Sequence, residues 1–258
     1  MTEGGIVGHI IRFSIPLMLG NLLQQLYNMV DTWVVGNFVS NEAFSAVGTV
    51  GPIINMLIGI FAGLSSGAGV VISQYYGAKR YEDVQKTVHT AIVMTLALGV
   101  VFTIIGLGMT PYMLRLMNTP PTVLPESTTY LRIYFSGVVG LMVYNMGAGV
   151  LRAVGNTRTP LYFLIFSSIM NIILDLLFVV VFGLGIAGVA YATVLAQMIS
   201  AVLVLMLLTK TKEKYRLIWK DLRVDMQLTK EILSVGFPVG LQQAVTSFSN
   251  VYVQSYIN

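Results

Sequence analysis

The chain has 258 residues, 55% of them hydrophobic and only 10% charged, against about 25% charge in a soluble domain. A mean hydropathy of +0.78, carried by long continuous apolar runs instead of alternating ones, excludes a soluble globular domain and a transmembrane barrel and marks an all-α integral membrane protein. The net charge of +4 raises nucleic acid as a partner, which the placement of the basic residues argues against below, and the absence of cysteine excludes disulfides and thiolate metal sites.

Seven spans follow in order, over residues 15–38, 46–75, 88–109, 128–151, 161–182, 186–208 and 232–257. The tail before the first span is short and polar. The first apolar run is too long for a signal sequence, carries an aspartate and lacks a small-residue cleavage pattern, so it reads as a retained helix. It bears a polar stripe of Asn21, Gln24, Gln25, Asn28, Asp31 and Thr32, whose spacing of three and four puts them on one face. In lipid that face must turn toward a partner helix or a water-filled cavity. For the amides, interhelical hydrogen bonding is the plainer role. For Asp31 function is the stronger reading, because an ionisable group at bilayer depth costs at least a few kcal/mol (about 2.5–3.5 on insertion scales).

The second span has Gly51-Pro52 near its start, which predicts tilt or a kink. Gly59, Gly63 and Gly67 form a small-residue ridge along it, read as a packing surface. The fifth span carries Ser168, Asn171 and Asp175, again at helical spacing. The turn through Gly183 and Gly185 is short, so the fifth and sixth spans are neighbours, and the sixth carries Thr193. Residues 209–230 form the longest polar segment, with Tyr215, Leu217, Ile218 and Trp219 in its middle. They read either as an amphipathic piece on the membrane interface or as a solvated linker.

The seventh span opens a second copy of the first. IIRFSIPLMLGNLLQQLYN over Ile10–Asn28 matches EILSVGFPVGLQQAVTSFSN over Glu231–Asn250 at an offset of 222, with Pro16 on Pro238 and Asn28 on Asn250. With six helices per copy the repeats run parallel. Val253 falls opposite Asp31, so the copies differ chemically. The expected organisation is a six-helix lobe over residues 1–208, a basic linker over 209–230, and over 231–258 the first helix of an incomplete second lobe.

Thirteen of the fifteen basic residues fall on one side of these spans: Arg12, Lys79, Arg80, Lys86, Arg152, Arg158 and the seven from Lys210 to Lys230. Only Arg115 and Arg132 fall on the other. This predicts a multi-pass protein of the cell membrane with a cytoplasmic N-terminus, and it makes the basic charge topological instead of nucleic-acid binding.

Asp31 and Asp175 are the acidic residues set inside apolar spans. Asp31 lies about 9–10 Å from the outer end of its helix and Asp175 about 10 Å from its own, at about 1.5 Å per residue. Asn171 and Thr193 fall in the same layer. Hard oxygens at this depth suit Na+, and two carboxylates desolvated together suit proton exchange; the residue types permit both. The fourteen methionines read as core, and His9 and His89 as residues of the inner interface. No phosphate loop, zinc motif or nucleophile elbow is present.

Several segments together resemble the multidrug and toxic compound extrusion (MATE) transporters. They are PLMLGNLLQQLYNMVDTWVVG from Pro16, QYYGAKR from Gln74, LRAVGNTRTP from Leu151, NIILD from Asn171, and GIAGVAYAT from Gly185 to Thr193. The resemblance runs the length of the chain. It implies half of a twelve-helix fold of two six-helix lobes, no enzymatic activity, and antiport of amphipathic, often cationic drugs against Na+ or H+, with no cofactor beyond that coupling ion. By motif match Asp31, Asn171, Asp175 and Thr193 would form the cation site. Gln24, Tyr27, Asn145 and Ser168 would lie near the site or the lobe's cavity, and Pro16 would be the point where the first helix bends. The expected partners are the bilayer, drug-like molecules, and a second lobe or a second copy.

Two alternatives stand beside this one: a truncated or split half-transporter that is inactive alone or needs a partner lobe, and a flippase for lipid-linked oligosaccharides. An intramembrane aspartyl protease is excluded by motif, since Val30 precedes Asp31 and Ile172-Ile173-Leu174 precede Asp175.

Overall fold

The computed structural model describes residues 6–257, and these form a helical bundle with no strand among them. The helices are α1 (Ile6–Phe38), α2 (Asn41–Gly77), α3 (Tyr81–Leu116), α4 (Leu124–Ser136), α5 (Val138–Ala153), α6 (Arg158–Asp175), α7 (Gly185–Lys210) and α8 (Met226–Ile257). A π-helical turn, Leu176–Val181, extends α6. The tail of residues 1–5 and the side chains of His9, Arg12, Asn250 and Val253 lie outside what is described, so the readings placed on them have no structural counterpart.

Four helices are long and apolar enough to cross a membrane: α2, α3, α6 with its π extension, and α7. The α4–α5 pair makes a fifth crossing, bent by 50°.

The helices run past the expected span ends. α2 begins at Asn41 because Ser40 caps it, its hydroxyl accepting from the Ala43 amide at 3.1 Å. Pro52 therefore sits well inside a helix that continues through it. α1 likewise continues through Pro16. The fourth span is corrected: it is two helices meeting at Gly137. A Cβ there would lie 2.6 Å from Val194 Cγ2 of α7, so only glycine admits the close approach at the bend. Gly140 and Gly147 receive Met198 and Val204 in the same way, a second glycine ridge that the sequence reading did not single out.

The ridge on α2 packs as expected, and its partner is α8. Cβ atoms on Gly63 and Gly67 would collide with the backbone of Gly240, Gly236 and Ile232. α8 thus lies backbone to backbone against α2.

The segment between α7 and α8 is neither an amphipathic helix nor a solvated linker. Leu217 is fully buried and Tyr215 nearly so, while Trp219 is exposed. The Ile218 amide donates to His89 Nε2 at 3.1 Å, Gln85 donates to the Arg216 carbonyl, and Thr90 bonds both the Arg223 carbonyl and the Asp225 amide. These bonds dock the segment on the start of α3 and satisfy backbone groups that a helix would have paired within itself. Asp225 then caps α8 through the Gln227 and Leu228 amides.

Two hydrophobic clusters fill the bundle. One, around Val34, Leu131, Phe135 and Ile186, lies toward the end where α1 meets α2. The other, around Ile72, Val88, Leu151, Leu208 and Ile232, lies toward the opposite end, where the basic residues of the α2–α3, α5–α6 and α7–α8 connections gather.

Candidate cation site and its cavities

The helical register brings two polar stripes together. α1 presents Asn21, Gln24, Tyr27, Asn28 and Asp31; α6 presents Ser168, Asn171 and Asp175. Asp31 is 6% exposed, Asn171 1% and Asp175 0%. The Asp31 carboxylate lies beside Asp175 and Thr193, and neither neighbour donates a hydrogen bond to it. The matched depths inferred from helix geometry thus correspond to a real juxtaposition of α1, α6 and α7.

Local structure fixes this. Asp175 is the last α-helical residue before the π turn, where Phe182 donates back five residues to the Leu177 carbonyl at 3.0 Å. A π segment in a helix commonly accompanies a functional site, and here it starts at the innermost carboxylate. Beyond it Gly183 and Gly185, with φ of 65° and 57°, turn the chain into α7, which puts Thr193 beside the two aspartates.

The cluster's oxygens are ready to accept. Asp31 Oδ1, both Asp175 oxygens, both side-chain polar atoms of Asn171 and Ser168 Oγ are buried without a hydrogen-bond partner. Thr193 Oγ1 donates to the Val189 carbonyl at 3.0 Å, which leaves its lone pairs free. Buried carboxylates in contact repel strongly at low dielectric, and a proton or a small cation between them relieves the repulsion. Among the described residues no three His, Cys, Asp or Glu side chains cluster for a metal. The set is two carboxylates completed by an amide and a hydroxyl, a hard-oxygen donor set that fits Na+ and excludes a soft transition metal.

Two cavities meet at this cluster. One, of about 600 Å³, is lined by Asp31, Asn28, Tyr130, Tyr134 and residues of α2. The other, of about 120 Å³, runs from Asn171 and Ser168 past Asn145 and Pro16 to Arg152 and Thr157 at the basic end. Asn21, Gln24, Tyr27, Thr193 and Gln197 line both. Asp175 lines neither.

The stripe amides therefore face cavities. Among the described residues none of Asn21, Gln24, Gln25 and Asn28 hydrogen-bonds to another helix through its side chain. Asn145 is less available than its neighbours: its amide donates to the Leu141 carbonyl of its own helix at 2.8 Å, and its backbone carbonyl accepts from Ser65. Pro16 lies in the cavity wall with α1 unbroken around it.

Among the lining residues that sequence reasoning missed are Gln197, Tyr130, Tyr134 and Arg152. Gln197 lies one turn beyond Thr193, so that stripe was available to be read. Tyr130 and Tyr134 are buried on α4, and only the bend at Gly137 gives them their place. Arg152 had been counted solely as a topological charge.

Comparison with known proteins bears on this site. The MatE family model matches residues 16–177, more than half of the chain. The probable multidrug resistance protein YpnP of Bacillus subtilis (strain 168) is 31% identical over 262 aligned positions, covering 100% of this chain and 57% of its own length. Two solved structures of a multidrug resistance MATE family transporter of the MOP superfamily also match. Its outward-facing conformation has a TM-score of 0.86 at 30% identity, covering 91% of this chain and 52% of that one. Its inward-facing conformation has a TM-score of 0.85 at 29% identity, covering 96% and 56%. The chain spans about half the length of the curated relatives it matches.

Proposed function

This chain belongs to the MatE family, and we propose that it is the cation-coupling lobe of a secondary active exporter that moves amphipathic, often cationic drugs against Na+ or H+. The observation that carries this reading is the burial of Asp31 and Asp175 side by side, with Asn171 and Thr193 completing the oxygen set. Such a group has no packing rationale in a membrane helix; a site that a cation fills and leaves gives it one.

In this account the cation enters through the larger cavity, which reaches Asp31 directly, and is held by Asp31, Asn171, Asp175 and Thr193. Gln24, Tyr27 and Gln197 stand between that site and the smaller cavity, so the filling of one can alter the shape of the other. Pro16 lacks an amide hydrogen and leaves a carbonyl of α1 without its helical donor, which makes the α1 segment beside the smaller cavity the easiest place to bend. Cation binding that reshapes α1 there would release the substrate. Residues 1–208 form the lobe, 209–230 the connection and 231–258 the start of the second repeat, with the basic end cytoplasmic. The relatives' names as multidrug resistance proteins support the substrate class.

A second reading rests on length. The chain spans about half of its relatives, and α8 is packed tightly on α2, so the lobe would act with a second lobe, supplied by the same or another polypeptide.

Imposing pH and sodium gradients separately across proteoliposomes of the complete transporter tests the coupling. Efflux of a fluorescent cationic dye driven by one gradient and not by the other is the expected result. Dye movement indifferent to both gradients would refute antiport.

A further inference from the structure

The smaller cavity carries a charge that the antiport reading does not use. Arg152, on the last turn of α5, is the sole charged residue lining it. Among the described residues it has no carboxylate partner; both ion pairs found there belong to Asp83. Beside it in the wall are Thr157, 5% exposed, and Tyr144, whose hydroxyl is already committed to the Pro160 carbonyl at 3.1 Å. A guanidinium facing a neutral cavity is a planar fork of donors matched to a carboxylate or phosphate.

The rest of the cavity restricts the size and polarity of a ligand. At its far end Ser168 Oγ and both polar atoms of Asn171 are buried and unpartnered. Between the two ends the wall is apolar, with Leu17, Leu141, Leu161 and Leu164. The volume, about 120 Å³, is near that of a cavity known to accept a single benzene ring. The larger cavity, across the shared wall, carries Asp31 and no basic residue. The two chambers therefore have opposite polarity.

We propose that the smaller cavity binds the oxyanion of a small amphipathic molecule at its basic end, its carboxylate or phosphate held by Arg152 and its apolar body among the leucines. This deepens the transport reading by naming a charge class for one chamber: the lobe would accept anionic or zwitterionic compounds beside cationic ones.

Fluorescence titration of the chain in phosphatidylcholine nanodiscs, with no ion gradient, tests this with anthranilate and its neutral counterpart anthranilamide. Because only equilibrium binding is read, failure of the antiport reading would not touch the result. Anthranilate should bind at least about tenfold more tightly than the amide, as a charge-assisted pair requires. Arg152→Gln should bring anthranilate down to the amide's level while leaving amide binding unchanged, Arg152→Lys should restore part of the difference, and Arg158→Gln, an exposed charge at the same end, should change nothing. Displacement of anthranilate by phosphatidylglycerol in the disc would support the oxyanion site and identify a lipid headgroup as its occupant. Equal binding of acid and amide by the unaltered chain would overturn the proposal, whether or not any variant folds. So would an Arg158→Gln loss as large as that of Arg152→Gln, since diffuse surface charge would then account for both.

Discussion

At the level of single residues, three members of the proposed cation site, Asp31, Asn171 and Asp175, fall where polar side chains recur every three or four positions in apolar spans, and Thr193 falls at their depth. Asp31, Asn171, Asp175 and Thr193 were legible because a helix converts spacing into a face and residue number into depth. Their mutual contact was not legible, since depth says nothing about which way two helices are turned. Asn171 offers the neutral oxygen of the set and is buried with no other partner. Asn171→Leu keeps its volume and removes that oxygen. The cation concentration giving half-maximal efflux should rise by about tenfold, the worth of one hydrogen-bond-like contact to a charged group. An unchanged half-maximal concentration would remove Asn171 from the site.

At the level of elements, glycine decides which helices touch. The α2 ridge was readable from its period of four, but its partner was not, because small residues mark a close approach without saying to what. α8 supplies the answer through Gly236 and Gly240. Gly63→Ala should lower the stability of the detergent-solubilised chain by about 1–3 kcal/mol, as overpacking of a filled interface does. Gly48→Ala, where an added Cβ meets nothing within 4 Å, should leave it unchanged or slightly raise it. Thermal melts of the two variants check this, and equal melting temperatures would mean that the α2–α8 contact is not tight. The bend at Gly137 and the docking of residues 211–225 on α3 escaped the sequence for the same reason. Each depends on a partner more than fifty residues away, and hydropathy reports only on the bilayer.

For the molecule as a whole, one lobe matches an outward-facing and an inward-facing relative equally well, with TM-scores of 0.86 and 0.85. In this account alternating access moves lobes against each other, with α1 bending beside Pro16 inside the first lobe. Cation binding must then act by biasing one arrangement of the lobes, which requires a different affinity for the cation in each. Asp31 and Asp175 can do this only together. Their contact makes them a unit, and units show non-additive losses. The decisive measurement is gradient-driven dye efflux by Asp31→Asn, Asp175→Asn and the double variant in proteoliposomes of the complete transporter. Each single change should abolish the response to the coupling gradient, and the double variant should be no worse than either. Retention of gradient-driven efflux by Asp175→Asn, or a double loss equal to the sum of two partial ones, would contradict a shared cation site.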